Sequence, residues 1–130
     1  MSGDERRRAR SGSPFEATIG FSRAIRIGNR VVVSGTAPVW PDGSCPDDPG
    51  VQARRCLEII TEALAELGAG PADVVRTRMF LCSAGDADAV GAAHAEVFGP
   101  AAPAATMVVV AGLLDARWRV EIEAEAQVGD

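Results

Sequence analysis

Three glutamates on alternate positions near the C-terminus are the first side chains that could do chemistry: Glu121, Glu123 and Glu125. A positioned carboxylate can move protons to and from a reacting centre. The residues between them are apolar, which predicts a strand with one covered face. Alternation alone favours a solvated row of carboxylates on the other face. A catalytic role for any of the three therefore needs an independent reason.

The single histidine and the three cysteines are the other titratable side chains of catalytic type. His94 lies in a helical pattern without a Ser, Cys or Asp partner by motif, so we expect a partly exposed helix residue. Cys45, Cys56 and Cys82 are odd in number and widely spaced, which fits neither a disulfide framework nor a metal or redox pair. We expect Cys56 and Cys82 to be small buried side chains. With one histidine and no ligand motif, we expect no metal site.

Absent residue types and the net charge exclude further classes of chemistry. The 13 basic residues are all arginine, and there is no lysine or tyrosine, which rules out lysine Schiff bases, a P-loop lysine and a tyrosine nucleophile. A net charge of −5 argues against a nucleic-acid partner. No apolar run is long enough for a membrane span, and the N-terminus lacks a signal-peptide core. We therefore expect a cytoplasmic protein without membrane contact.

The length of 130 residues fits one domain. Residues 1–13 are charged and without periodicity, and we predict a disordered Arg-rich tail there, followed by a single domain over 14–130. The tail includes Arg6, Arg7, Arg8 and Arg10, to which no role is assigned.

Periodicity predicts the order β-β-α-β-α-β-β, with strands at 24–27 and 31–33, a helix at 51–67, a strand at 73–82, a helix at 86–98, and strands at 106–110 and 118–126. Each helix has one apolar stripe, so both should pack on one face of a mixed sheet in an α+β fold. The other face then needs a partner. A symmetric oligomer would supply one and would create ligand clefts between subunits.

Several stretches of residues 14–128 resemble the RidA/YjgF (Rid) family in the same order: Ile19-Gly20-Phe21-Ser22-Arg23-Ala24, Val33-Ser34-Gly35, Gln52-Ala53, Pro103-Ala104 and Val120-Glu121-Ile122-Glu123-Ala124. The resemblance implies a chorismate-mutase-like fold and a homotrimer that binds a small-molecule ligand in each intersubunit cleft. It also implies hydrolysis of reactive enamines and imines to ketoacids and ammonia without any cofactor. Glu121 matches the family glutamate that positions or activates the attacking water, and is the predicted catalytic residue.

The predicted ligand-binding residues include two departures from the family pattern. The family motif Pro-Ala-Arg-Ser becomes Pro103-Ala104-Ala105-Thr106-Met107, so Ala105 replaces the guanidinium that holds a substrate carboxylate. Phe21 stands where the family motif has a tyrosine. Ser34 and Gly35 end a strand, where small residues let a ligand approach the backbone, and Thr106 offers a hydroxyl. Phe21 and Met107 would make the cleft more apolar.

The resemblance, together with these departures, implies a divergent imine or enamine deaminase whose substrate is not a simple aminoacrylate. Arg76 and Arg78 are candidates for a replacement cation, or else are strand arginines on a solvated or interface surface. Two further functions stay open. One is a trimer that binds a small metabolite without catalysis, and the other is a pathway-specific enzyme of secondary metabolism that acts on a larger molecule in the same cleft.

Overall fold

A computed structural model describes residues 6–129. Its strands form one six-stranded sheet in the order β1-β2-β3-β6-β4-β5, in which β4 and β5 are parallel and the other pairs are antiparallel. The elements follow the chain as β1 (Arg6–Ala9), α1 (Pro14–Ile19), β2 (Ala24–Ile27), β3 (Arg30–Thr36), α2 (Pro49–Glu66), β4 (Val74–Leu81), α3 (Ala87–Phe98), β5 (Ala104–Val109) and β6 (Val120–Gln127). The predicted mixed sheet of an α+β fold is confirmed.

The two long helices cover one face of the sheet, as predicted. Asp48 caps α2 by accepting hydrogen bonds from the backbone N–H groups of Gly50 and Val51, and Gly68 follows the helix with a φ of 78° that favours glycine. The core between helices and sheet is apolar and almost fully buried. It includes Leu57, Ile60, Leu64, Val90, Phe98, Val31, Val33, Ile122 and Leu81.

Part of the predicted tail is a strand. Arg6–Ala9 pairs antiparallel with β2 over four residues, Ala9 is 1% exposed, and α1 follows where no element was predicted. Strand pairing uses backbone groups, so a run of arginines can form an edge strand if its alternate residues find partners. Arg7 has a hydrogen-bond partner, because its Nη2 donates to the carbonyl oxygen of Leu67 (3.2 Å) at the C-terminus of α2. Residues 1–5 of the predicted tail lie outside the described part.

Strict alternation along the strand predicted at 73–82 would place Val75 on the same face as Thr77, Met79 and Leu81, and this expectation is wrong at the start of the strand. Val74 is 2% exposed, whereas Val75 is 44% exposed. The register of β4 against β6 shifts between Val74 and Arg76, and this irregularity exchanges the faces of the two valines. From Thr77 onward the predicted alternation holds, because Thr77, Met79 and Leu81 are buried.

The other face of the sheet is open over the described residues, and charged and apolar side chains share it. Val32, Glu125 and Arg76 lie side by side on β3, β6 and β4, and Ile25 extends the row onto β2. Pairing of neighbouring strands places these side chains on one face. No helix among residues 6–129 is long and apolar enough to cross a membrane.

Candidate active site

Glu121 lies beside Gly35 at the centre of the sheet. The register of β3 against β6 shifts between Val33 and Thr36, and this irregularity carries Gly35 next to the Glu121 side chain. A Cβ built on Gly35 would overlap Oε2 of Glu121, so position 35 has room only for glycine while the carboxylate stays where it is. Gly35 and Glu121, both predicted as site residues, are therefore brought into contact.

The environment of Glu121 suits a proton-transfer group. Burial raises the pKa of the half-buried Glu121 carboxyl above its ordinary value, the positive charge of Arg23 opposes this rise, and the negative charge of Glu123 adds to it. A carboxyl group with a raised pKa is a stronger base once ionised. Glu121 is thus distinguished from Glu123 and Glu125, which make ion pairs on the open face.

Arg23 is a site residue that the sequence patterns did not single out. It is 8% exposed, and its Nη1 donates to the carbonyl oxygen of Gly35 (3.0 Å) and to Oγ1 of Thr36 (3.2 Å). Burial lowers the pKa of Arg23, and the carboxylates of Glu16 and Glu121 raise it. Its position just before a predicted strand, in Ser22-Arg23-Ala24, was the available signal, because an arginine buried there needs acidic partners.

The remaining contacts of Arg23 tie the N-terminal segment to the site. Its Nε lies 3.8 Å from Oε2 of Glu16 and makes no hydrogen bond with the described residues. Glu16 in turn accepts hydrogen bonds from the N–H and the hydroxyl of Ser11. The guanidinium carbon of Arg23 lies 5.3 Å from the centroid of the Phe21 ring, within range of a cation–π contact.

Phe21 and Ser34 line one cavity of about 550 Å³ on the open side of the sheet. The hydroxyl of Ser34 donates to the carbonyl oxygen of Ser22 (2.7 Å), which leaves its lone pairs free to accept. Gly35 follows Ser34 directly, so four predicted site residues cluster around Arg23: Phe21, Ser34, Gly35 and Glu121.

The three predicted residues of β5 lie elsewhere. In the order β6-β4-β5 this edge strand is two strand spacings from β6, roughly 10 Å from the strand that carries Glu121. Ala105 pairs with buried Thr77, and Met107 pairs with buried Met79 and packs on the core, both on the helix-covered face. Thr106 pairs with Arg78 on the open face. A single chain therefore does not bring Ala105, Thr106 and Met107 to Glu121.

Arg76 and Arg78 are engaged in ion pairs on the open face. Nη1 of Arg78 lies 2.8 Å from Oε1 of Glu123, and Nε of Arg76 lies 3.6 Å from Oε2 of Glu125. These side chains, with Ser34, line a second cavity of about 240 Å³. Their glutamate partners already neutralise them, which weakens the case for either as the cation that replaces an arginine at Ala105.

The histidine and two of the cysteines have different surroundings. Nε2 of His94 lies 2.8 Å from Oγ1 of Thr77, a partner that no motif predicted, and burial lowers the pKa of His94. Cys56 is fully buried and burial raises the pKa of its thiol, as expected of an inert side chain. Cys82 is exposed, which corrects the prediction of a buried side chain, because it follows the last residue of β4. No cluster of metal-binding side chains occurs among the described residues.

The fold and the site define a class of small α+β domains in which two helices cover one face of a mixed sheet and a half-buried glutamate lies against a glycine of the neighbouring strand. The family model described as Endoribonuclease L-PSP matches residues 12–128. The chain belongs to this family, the RidA/YjgF family.

Similar sequences and solved structures agree with this assignment. The crystal structure of a YjgF/YER057c/UK114 family member from Mycobacterium tuberculosis has a TM-score of 0.88 at 43% identity and covers 95% of this chain and 100% of that chain. An uncharacterized protein of Streptomyces coelicolor is 42% identical over 130 residues, 99% of this chain and 97% of its own length. A 2-iminobutanoate/2-iminopropanoate deaminase of Escherichia coli is 32% identical over 115 residues, 85% of this chain and 89% of its own length. The family thus includes imine deaminases.

Proposed function

We propose that this protein is an imine or enamine deaminase that hydrolyses a reactive C=N bond and releases ammonia. The observation that carries the proposal is the half-buried Glu121 carboxylate, held against Gly35 and beside the buried Arg23. The deaminase name of the Escherichia coli relative supports the reaction class. Glu121 is the proposed catalytic residue.

The reaction needs one group that takes up and returns protons. Ionised Glu121 takes a proton from water while the water oxygen bonds to the imine carbon, and protonated Glu121 passes that proton to the imine nitrogen as the C=N double bond becomes single. In the resulting carbinolamine, Glu121 takes the hydroxyl proton and passes it to the nitrogen, so the C–N bond breaks with release of ammonia as the C=O bond forms. Water and imine become a carbonyl compound and ammonia, with no change of oxidation state, so the residues of the chain suffice.

The site is proposed to be complete only in a homotrimer. Phe21, Ser34, Gly35 and Glu121 lie together, whereas Ala105 and Thr106 lie on the exposed edge strand β5. A neighbouring copy can supply these β5 residues to the cleft of the first copy, and the open face of the sheet would be covered by the same contact. Sedimentation equilibrium tests this step, and a monomeric mass would contradict it.

The substrate is proposed to be other than a simple aminoacrylate. Ala105 cannot form the bidentate contact of an arginine with a carboxylate beside the imine. Phe21 also lacks the hydroxyl of a tyrosine. Both changes leave the region next to the reacting carbon less polar.

Ammonia release from imines made in situ tests the proposal. An amino-acid oxidase would generate imines from acidic, neutral and apolar amino acids, and release would be compared for the wild type, Glu121→Gln and Ala105→Arg. We expect the wild type to accelerate hydrolysis of at least one imine, and Glu121→Gln to lose that acceleration. If Ala105→Arg is active and the wild type is not, the cleft is intact but no longer binds carboxylate-bearing imines, and the native substrate belongs to another chemical class. If neither wild type nor Ala105→Arg is active, the alternative of a metabolite-binding trimer is favoured.

A further inference from the structure

We infer that Arg8 and Arg10 form an anion-binding subsite in the cavity next to Phe21, and that the natural ligand carries an anionic group at the end far from its imine. This inference rests on the proposed function, because it names the class of substrate that the same cleft takes. The arginine cluster at the N-terminus, to which no sequence pattern assigns a role, would then hold the distal end of the substrate.

Strand β1 determines which arginines face the cavity. Arg8 pairs with Ile25 and Ala9 with Ala24, and the backbone N–H of Arg23 continues the ladder by donating to the carbonyl oxygen of Ala9 (2.9 Å). Alternation along a strand sends Arg7 and Ala9 to the helix side and Arg8 and Arg10 to the open side. Arg8 and Arg10 line the cavity of about 550 Å³ that Phe21 and Ser34 also line.

The charged side chains that line this cavity carry a net positive charge, which favours an anionic ligand. Arg8 and Arg10 are exposed, and within residues 6–129 neither forms an ion pair. The one carboxylate of the lining, Glu16, is buried and faces the guanidinium of Arg23, with Nε and Oε2 3.8 Å apart. Arg23 therefore offsets the charge of Glu16, and the two exposed guanidinium groups keep their positive charge for a ligand.

The remaining walls indicate the shape of the ligand. Phe21 and Ile25 are apolar, and Ser34 Oγ can accept a hydrogen bond. An organic anion with an apolar body fits these walls better than a bare inorganic ion, and a carboxylate matches the fork of a guanidinium. Ser34 also precedes Gly35, which touches Glu121, so the subsite lies next to the proposed reaction centre.

The test measures binding by calorimetry with two stable ketoacids of equal chain length. 2-Oxoglutarate carries a distal carboxylate where 2-oxopentanoate has a methyl group, and inorganic phosphate serves as an anion without an apolar body. The test variant is Arg8→Gln/Arg10→Gln. The control variant, Arg6→Gln/Arg54→Gln, loses two exposed positive charges but no residue of the cavity and not the contact of Arg7 that holds β1. A thermal melt confirms that each variant is folded.

We expect the wild type to bind 2-oxoglutarate more tightly than 2-oxopentanoate. The test variant should bind 2-oxoglutarate about 10- to 100-fold more weakly and 2-oxopentanoate unchanged, and the control should resemble the wild type. Equal binding of both ketoacids by the wild type, or an equal loss in the control, would overturn the inference. So would binding of phosphate alone through Arg8 and Arg10, because the ligand would then not be an organic anion.

Failure of the subsite and failure of the proposed function can be told apart. Calorimetry needs no turnover, so an arginine-dependent preference for 2-oxoglutarate with no imine hydrolysis would retain the subsite and remove the deaminase. Suppose instead that the wild type and the test variant hydrolyse the imine of glutamate at the same rate. This result would retain the deaminase and overturn the subsite.

Discussion

The Glu121 carboxylate on β6 lies so close to the α-carbon of Gly35 on β3 that a single added carbon at Gly35 would overlap with Oε2. The main chain of Gly35 is held in turn, because its carbonyl oxygen accepts a hydrogen bond from buried Arg23 at 3.0 Å. The position of the proposed catalytic carboxylate is therefore set by a glycine without a side chain and by a guanidinium that fixes that glycine. This arrangement joins β6, β3 and the residue that precedes β2.

Gly35→Ala should displace the Glu121 carboxylate. The added Cβ must push the flexible end of the Glu121 side chain aside, so the free energy of unfolding should change by less than about 1 kcal/mol, whereas turnover should fall at least about tenfold because the carboxylate leaves its position. Rates and urea denaturation check both effects. The matched control is Gly70→Ala, where a Cβ would meet open space and turnover should not change. Equal activity of Gly35→Ala and the wild type would contradict the prediction, because catalysis would then not depend on the position that Gly35 gives Glu121.

Glu121→Gln should abolish most turnover while the fold is retained. General acid–base groups contribute about 100- to 10,000-fold to rates, and an amide cannot exchange the proton. Glu125→Gln, on the same strand and face, is the control, because Glu125 does not contribute to the pKa shift of Glu121, and its rate should stay close to that of the wild type. A rate unchanged in Glu121→Gln would remove this residue from the mechanism.

The raised pKa of Glu121 also predicts a pH dependence of stability. Its folded-state pKa lies above its unfolded value, so the protonated form is favoured by folding. This contribution is fully present below the unfolded pKa and is lost as the pH rises through the folded pKa. Gln cannot ionise, so only the wild type loses this contribution. The melting temperature of Glu121→Gln should therefore rise relative to that of the wild type as the pH rises through this range. A difference independent of pH would contradict the prediction.

Arg23→Gln should move the rise of activity with pH to higher values. Arg23 is the positive charge that lowers the pKa of Glu121, whereas burial and Glu123 raise it, and the other titratable group nearby, Cys56, is buried with a raised thiol pKa. Removing the charge therefore raises the pKa of the base. Arg23→Lys keeps the charge and should restore the profile. If the pH profile of kcat/KM is the same in the wild type and in both variants, Arg23 has only a structural role.

Gln52 should matter for stability, because its buried side chain joins two loops. Its Nε2 donates to the carbonyl oxygens of Pro46 (2.8 Å) and Arg117 (2.9 Å), and its Oε1 accepts from the N–H of Arg119 (2.7 Å). Gln52→Leu would leave these backbone groups unpaired and should lower the free energy of unfolding by about 2–4 kcal/mol. Denaturant unfolding measures the loss. Glu58→Leu, at an exposed site of the same helix, should lower it by less than about 1 kcal/mol.

Local sequence patterns predicted most of the regular structure. Apolar residues that alternate with Glu121, Glu123 and Glu125 predicted β6, because side chains on a half-buried strand must alternate. Periodicity also predicted the strands at 24–27 and 31–33 that pair as β2 and β3, and the apolar stripe at 51–67 predicted α2. The resemblance carried by Val33-Ser34-Gly35 and Glu121 identified the family correctly. These features are local, so short stretches of chain contain them.

Tertiary structure decided what no local pattern records. Arg6–Ala9 has the composition of a tail and became a strand because β2 offers an unpaired edge and Leu67 a carbonyl acceptor. The contact between Gly35 and Glu121 arises from strands that are 86 residues apart in number (121 minus 35), brought together by sheet order and a register shift. The same order carries Ala105 to the far edge of the sheet. The sequence predicts the residues of the candidate site, and only the packing of distant strands shows which of them one chain can bring together.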